Sequence, residues 1–188
     1  AKTLLRMGLT PNVTTLVGPA ATALAAAVLI PTDHLVWAAV LSIFFAAFDM
    51  VDGTMARLSG GGTAFGATLD ASCDRITDGA LFAAIALWMV YVDETRPAHV
   101  AACLAVLVLS QVISYVKARG EAGGLRIVGG LIERPERLII AVVGLVLEGC
   151  GVGGAVVVSI WLLLVGSVIT VVQRLVFAAS DPQTDGRI

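Results

Sequence analysis

Long apolar runs dominate this chain, and only short polar breaks, or breaks rich in glycine and proline, separate them. Of its 188 residues, 58% are hydrophobic and 14% are charged, and the mean hydropathy is +0.95. A soluble domain of this length carries far more charge, so the sequence predicts an integral membrane protein. An apolar run of about 20 residues spans a bilayer as a helix. We therefore predict an all-α membrane fold with six transmembrane helices, at 13–30, 35–58, 65–92, 98–117, 135–147 and 155–177.

The lysine and arginine residues predict the orientation of these helices. Eleven of the twelve fall on one predicted side of the membrane, and Arg96 falls on the other. Cytoplasmic loops carry an excess of these residues, so we expect both termini to face the cytoplasm. The predicted location is the plasma membrane. The six helices form one predicted domain over 1–180, and a polar tail follows at 181–188.

Four carboxylates interrupt the second and third predicted helices. Asp49 and Asp52 follow an apolar stretch of only 14 residues, 35–48, and Asp70 and Asp74 precede a matching stretch at 79–92. Their spacings of three and four residues place each pair on one helix face. Clustered carboxylates at membrane depth repel one another unless cations neutralise them. Oxygen ligands suit Mg²⁺ or Mn²⁺, and two such ions are typical of displacement at phosphorus.

Glycine and arginine residues accompany these carboxylates. Gly53 permits a close approach of a ligand to the backbone, and Arg57 can hold a phosphate by two hydrogen bonds. A lone aspartate in a membrane helix often serves helix packing, and a pair can relay protons or cations. Four aspartates with this spacing favour a reaction site facing the cytoplasm.

The pattern D-x2-D-G-x2-A-R-x8-G-x3-D-x3-D, from Asp49 to Asp74, resembles the signature of the CDP-alcohol phosphotransferase family. The resemblance implies that the first three aspartates bind two divalent metals, while Asp74 contributes to metal binding and acts as general base. It also implies a CDP-diacylglycerol donor, surrounding membrane lipids, a homodimer and no nucleic-acid partner. The residues that it assigns to the donor are Asn12, Val13, Thr14, Thr15, Gly53, Ala56, Arg57, Thr63 and Gly66.

A second set of polar residues occupies the later helices near their predicted cytoplasmic ends. Converging arginines suit a phosphate monoester and would repel a cationic alcohol such as choline. The segments 110–119 and 132–138 also resemble those of actinobacterial phosphatidylinositol-phosphate synthases, which implies inositol phosphate as the acceptor. The residues assigned to it are Ser114, Lys117, Arg134, Arg137 and Arg174.

Two other functions are compatible with parts of this pattern. A phosphatidylglycerolphosphate synthase would also use a phosphorylated acceptor. A divalent-cation transporter would use the aspartates for permeation, but its site needs access from both faces. All four carboxylates lie near one predicted side, and the arginines would oppose cation passage, so the sequence favours the enzyme.

Overall fold

The computed structural model describes residues 11–58 and 63–181, and the side chains of 11–15 and 47–58 lie outside that description. Within these ranges the chain has six helices and no strand. They are α1 (Pro11–Leu29), α2 (Leu35–Leu58), α3 (Ala64–Tyr91), α4 (Pro97–Ala122), α5 (Arg134–Gly149) and α6 (Ala155–Ser180). The all-α prediction and its order of helices are confirmed. The glycine-rich break at 60–62, between the second and third predicted helices, and most of the polar tail lie outside the described residues.

Two of the described helices, α4 and α6, are long and apolar enough to cross a membrane. Shorter apolar segments lie at Leu16–Leu29 in α1 and at Leu35–Ala46 in α2. In the sequence of α2, Asp49, Asp52 and Arg57 follow the apolar stretch 35–48. Six membrane passages and the placement of both termini therefore stay predictions.

The chain divides into two compact units, with the boundary between Glu94 and Thr95. In the first unit, α1 packs against both α2 and α3. Small buried residues such as Ala26, Ala38 and Ala39 let the backbones approach closely, while Phe82 and Met89 of α3 fill the core. At the α1–α2 turn, the Trp88 indole N–H donates to Asp33 Oδ1 at 2.8 Å, which ties α3 to this turn.

In the second unit, α6 packs against both α4 and α5. Gly144 of α5 faces Ser159 of α6 so closely that a Cβ at this position would collide with the serine side chain. At the far end of α5, the Glu148 carboxylate accepts hydrogen bonds from the backbone N–H groups of Gly154 and Val156, each at 2.9 Å. A carboxylate at a helix N-terminus satisfies N–H groups that have no partner within the helix.

The connection between α4 and α5 follows the side of α6. The N–H of Leu131 donates to Gln173 Oε1 at 2.8 Å, and the N–H of Ile132 donates to Thr170 Oγ1 at 2.9 Å. Gly130 has a φ of 150°, and a Cβ there would meet the Thr170 methyl group. Polar groups on one face of α6 thus hold this segment in an extended path that leads into α5.

Candidate active site

Asp70 and Asp74 lie one turn apart on α3, as the sequence predicted. Asp70 is exposed and Asp74 is half-buried. A spacing of four residues in a continuous helix places both on one face, so the two carboxylates share a direction. Asp74 also interacts with other groups of the protein.

Asp49 and Asp52 lie on the described helical backbone of α2, but their side chains are outside the description. Asp52 is six residues before the end of α2 and Asp70 is six residues after the start of α3, which corresponds to about 9 Å of helix in each case. Among the described side chains, no group of three or more histidines, cysteines or acidic residues is arranged to hold a metal. Because the side chains of Asp49 and Asp52 lie outside the description, the shared metal site stays a prediction.

Asp78 extends the acidic face of α3 by one further turn. It is buried, and its Oδ2 lies 3.8 Å from Arg75 Nη2. The pairing follows from the spacing of three residues between Arg75 and Asp78, a signal that is readable in the sequence. Asp78 therefore has a local cationic partner, and nothing in this geometry requires a bound metal.

Two predicted donor-binding residues form the start of α3. The Thr63 hydroxyl accepts a hydrogen bond from the Gly66 N–H at 3.0 Å, so Thr63 is the N-cap of this helix. The helical backbone of α1 carries Asn12, Val13, Thr14 and Thr15, and that of α2 carries Gly53, Ala56 and Arg57. Because their side chains are outside the description, contacts of these residues with a donor stay predictions.

Arg174 of α6, a member of the predicted acceptor set, makes hydrogen bonds to several parts of its unit. Only 4% of its surface is exposed, and its guanidinium donates to the Ile113 carbonyl at 2.6 Å, the Gly129 carbonyl at 3.1 Å and Glu133 Oε1 at 3.1 Å. These bonds bring α6, α4 and the start of α5 together. Arginine has five N–H donors, so three protein acceptors leave capacity for a ligand.

The other predicted acceptor residues lie on the elements that Arg174 joins. Ser114 follows Ile113 on α4 and donates to the Ser110 carbonyl at 3.3 Å, and Lys117 Nζ lies 4.0 Å from Glu121 Oε1. Arg134 and Arg137 lie in the first turns of α5, where Arg137 is only 1% exposed. The structure therefore gathers the predicted basic set within one unit. Contact of these residues with an acceptor stays a prediction.

Sequence reasoning missed the residues that support this basic set. Glu133, Thr170 and Gln173 bind Arg174 or the segment that leads to α5. A signal was present, because Gln173 and Arg174 follow Thr170 by three and four residues on a mostly apolar helix. Such spacing marks one face of a helix, but it does not identify the segment that the face contacts.

The chain is similar to a known protein family and to several of its members. The sequence model described as CDP-alcohol phosphatidyltransferase matches residues 8–172. The phosphatidylinositol phosphate synthase of Corynebacterium glutamicum is 61% identical over 182 residues, covering 97% of this chain and 83% of that protein. The synthase of Mycobacterium tuberculosis is 53% identical over 183 residues, covering 93% and 82%.

Solved structures show the same similarity. The crystal structure of Mycobacterium tuberculosis phosphatidylinositol phosphate synthase (PgsA1) with CDP-DAG bound has a TM-score of 0.95 and 49% identity to this chain, covering 100% of it and 95% of that chain. The structure of the same protein in complex with manganese and citrate has a TM-score of 0.94 and 49% identity, covering 100% and 90%.

Proposed function

Because this chain belongs to the CDP-alcohol phosphatidyltransferase family, we propose that it transfers the phosphatidyl group of CDP-diacylglycerol to inositol phosphate and releases CMP. The observation that carries this proposal is the 61% identity with a phosphatidylinositol phosphate synthase across 97% of the chain. Membership of this family also favours the enzyme over a cation transporter. The chemistry of phosphatidyl transfer then assigns roles to the two groups of polar residues, the aspartates and the basic residues.

The carboxylates of the first unit are suited to divalent cations. Asp70 and Asp74 share a face of α3, and Asp49 and Asp52 share a face of α2 by their spacing. The donor set would consist only of carboxylate oxygens, which hard cations prefer. We assign two Mg²⁺ or Mn²⁺ ions to these four aspartates. When bound, the ions would neutralise the pyrophosphate of the donor and stabilise the charge that develops on it.

The reaction is a displacement at the phosphorus that carries the diacylglycerol. Asp74 takes the proton from a hydroxyl of the acceptor, and the hydroxyl oxygen forms a bond to this phosphorus. The bond from phosphorus to the CMP oxygen breaks, and CMP leaves with the electron pair. Arg57 binds a donor phosphate, and the first turn of α1, with Asn12 and Thr14, borders the nucleotide in this assignment.

The basic residues of the second unit recognise the phosphate of the acceptor. Arg137 and Arg174 are buried, and a buried guanidinium binds a phosphate more strongly than an exposed one because water competes less. Ser114, Lys117 and Arg134 lie on the elements that Arg174 joins. An acceptor that already carries a phosphate fits this set better than a cationic alcohol does.

We further propose that the protein crosses the plasma membrane six times, acts as a homodimer and carries out its reaction on the cytoplasmic side. The apolar helices α4 and α6 support a membrane location. The distribution of lysine and arginine supports the orientation, because eleven of the twelve lie on the predicted inner side. This arrangement would place the reaction where soluble inositol phosphate is available.

The test is CMP release by purified protein with CDP-diacylglycerol and Mg²⁺, with inositol phosphate, free inositol or glycerol phosphate as acceptor. We expect release with inositol phosphate, no release with free inositol, and loss of activity after chelation of the metal. Release with glycerol phosphate alone would retain the carboxylate chemistry and overturn the acceptor. The absence of release with all three would overturn the proposed reaction.

A further inference from the structure

We propose that Glu133 is a positioning residue for the acceptor phosphate, and this inference rests on the proposed function. Glu133 does not carry the positive charge that a phosphate requires, and its own charge would repel the ligand. It lies where the connection from α4 enters α5, next to Arg134. Its effect is exerted through the arginines, by fixing the side chain of Arg174 and the start of the helix that presents Arg134 and Arg137.

Glu133 compensates the buried positive charge of Arg174. Its guanidinium is buried, and two of its three acceptors are neutral backbone carbonyls, from Ile113 and Gly129. Glu133 supplies the carboxylate, with 3.1 Å between its Oε1 and Arg174 Nη2. A hydrogen bond between ionised groups is stronger than one between neutral groups, and removal of one partner leaves a buried charge without compensation. Glu133 is therefore the partner that holds Arg174 electrostatically.

Hydrogen bonds restrain the backbone around Glu133. Its N–H donates to Glu136 Oε2 at 3.0 Å, and its carbonyl accepts the N–H of Arg137 at 3.1 Å. The preceding N–H, from Ile132, donates to Thr170 Oγ1. The position of this residue is thus fixed on both sides. A carboxylate on so restrained a backbone can define where the Arg174 guanidinium lies.

These contacts connect one carboxylate to much of the predicted acceptor set. Arg174 contacts the carbonyl that precedes Ser114 on α4, and Glu133 precedes Arg134 and begins the turn that carries Arg137. Loss of the Glu133 charge would leave the guanidinium with two backbone carbonyls as its remaining acceptors, so its orientation would be less restricted. The protein would then have to order Arg174 at each binding event, which weakens acceptor binding but leaves the carboxylate chemistry intact.

The experiment compares Glu133→Gln with the wild-type protein in the CMP-release assay. Glutamine keeps the size of the side chain and one acceptor oxygen but removes the charge. We expect the KM for inositol phosphate to rise by about tenfold or more, because a charge-assisted hydrogen bond is lost. The KM for CDP-diacylglycerol and the kcat at saturating acceptor should stay within about twofold, since the donor site does not depend on this carboxylate.

Two further variants separate positioning from general stability. Glu133→Asp retains the charge, so we expect it to recover part of the acceptor affinity. Glu148→Gln alters a carboxylate at the opposite end of the same helix, which caps α6. This matched control should lower the thermal unfolding midpoint in detergent and leave the acceptor KM unchanged.

The outcomes distinguish this inference from the proposed function. An unchanged acceptor KM in Glu133→Gln, with an active wild-type protein, would overturn the role of Glu133 and leave the reaction standing. An equal rise of the acceptor KM in Glu148→Gln would also overturn it, because the effect would then reflect stability. A wild-type protein that releases no CMP with any acceptor would overturn the proposed function, and this inference with it.

Discussion

Arg174 shows how the surroundings of a residue decide what it does. A buried guanidinium requires several acceptors, and Arg174 obtains them from α4, from the α4–α5 connection and from Glu133. Its position among basic residues near the predicted inner ends of the helices was readable from the sequence. Its three protein partners could not be predicted from the sequence. Two of them, Ile113 and Gly129, contribute backbone carbonyls, which carry no signal in the identity of the residue. The sequence thus predicted which basic side chains belong to this region, but it did not predict their hydrogen-bond partners.

The proposed general base leads to a prediction at this scale. Asp74→Asn removes a negative charge and the capacity to accept a proton, so we expect turnover to fall by at least about a hundredfold. Nucleotide binding should remain measurable, since the residues assigned to the donor are unchanged. Turnover is measured by CMP release and nucleotide binding by titration with CMP. Asp78→Asn, one turn further along α3, is the control and should retain turnover. Normal turnover of Asp74→Asn would remove it from the role of base.

At the scale of helices, the predicted order of elements is confirmed, and the ends differ where polar residues extend them. The prediction ended the fourth helix at residue 117, but α4 continues to Ala122, where Gly123 lies at the C-cap. Charged and polar residues there end the apolar run without ending the helix. The start of α5 was nearly correct, because Pro135 lies in its first turn. The apolar runs and the glycine and proline residues between them thus identify the helices. The ends of the helices depend on contacts such as the hydrogen bond from the Glu133 N–H to the Glu136 carboxylate.

The contact between α5 and α6 gives the second prediction. Gly144→Ala places a methyl group against Ser159, and neither helix can move away without disturbing the packing around it. We expect the free energy of unfolding to fall by about 1–3 kcal/mol, as for overpacking in a core. The measurement is the thermal unfolding midpoint in detergent. Gly153→Ala is the matched control, because nothing lies within 4 Å of a Cβ at that position. Equal midpoints for the two variants would contradict the proposed close contact.

At the scale of the whole molecule, a few residues in the sequence predicted the family. Many more residues build the fold. The aspartates, Gly53 and Arg57 identified the chemistry because ionised groups are rare in apolar helices. The membrane topology is a different kind of inference, since it depends on the summed distribution of lysine and arginine. The predicted topology states which ends of the helices face the cytoplasm, and the described residues offer a way to test it.

The three cysteines of the chain differ in exposure, and this difference gives the last prediction. Cys73 and Cys103 are buried, whereas Cys150 is an exposed free thiol in the α5–α6 connection, on the predicted outer side. A maleimide that cannot cross membranes should therefore label the native protein in intact cells, at Cys150. Val128 is 72% exposed in the α4–α5 connection, on the predicted inner side. In a Cys150→Ser background, Val128→Cys should react only after permeabilisation. The opposite pattern would reverse the orientation and place the proposed reaction outside the cytoplasm.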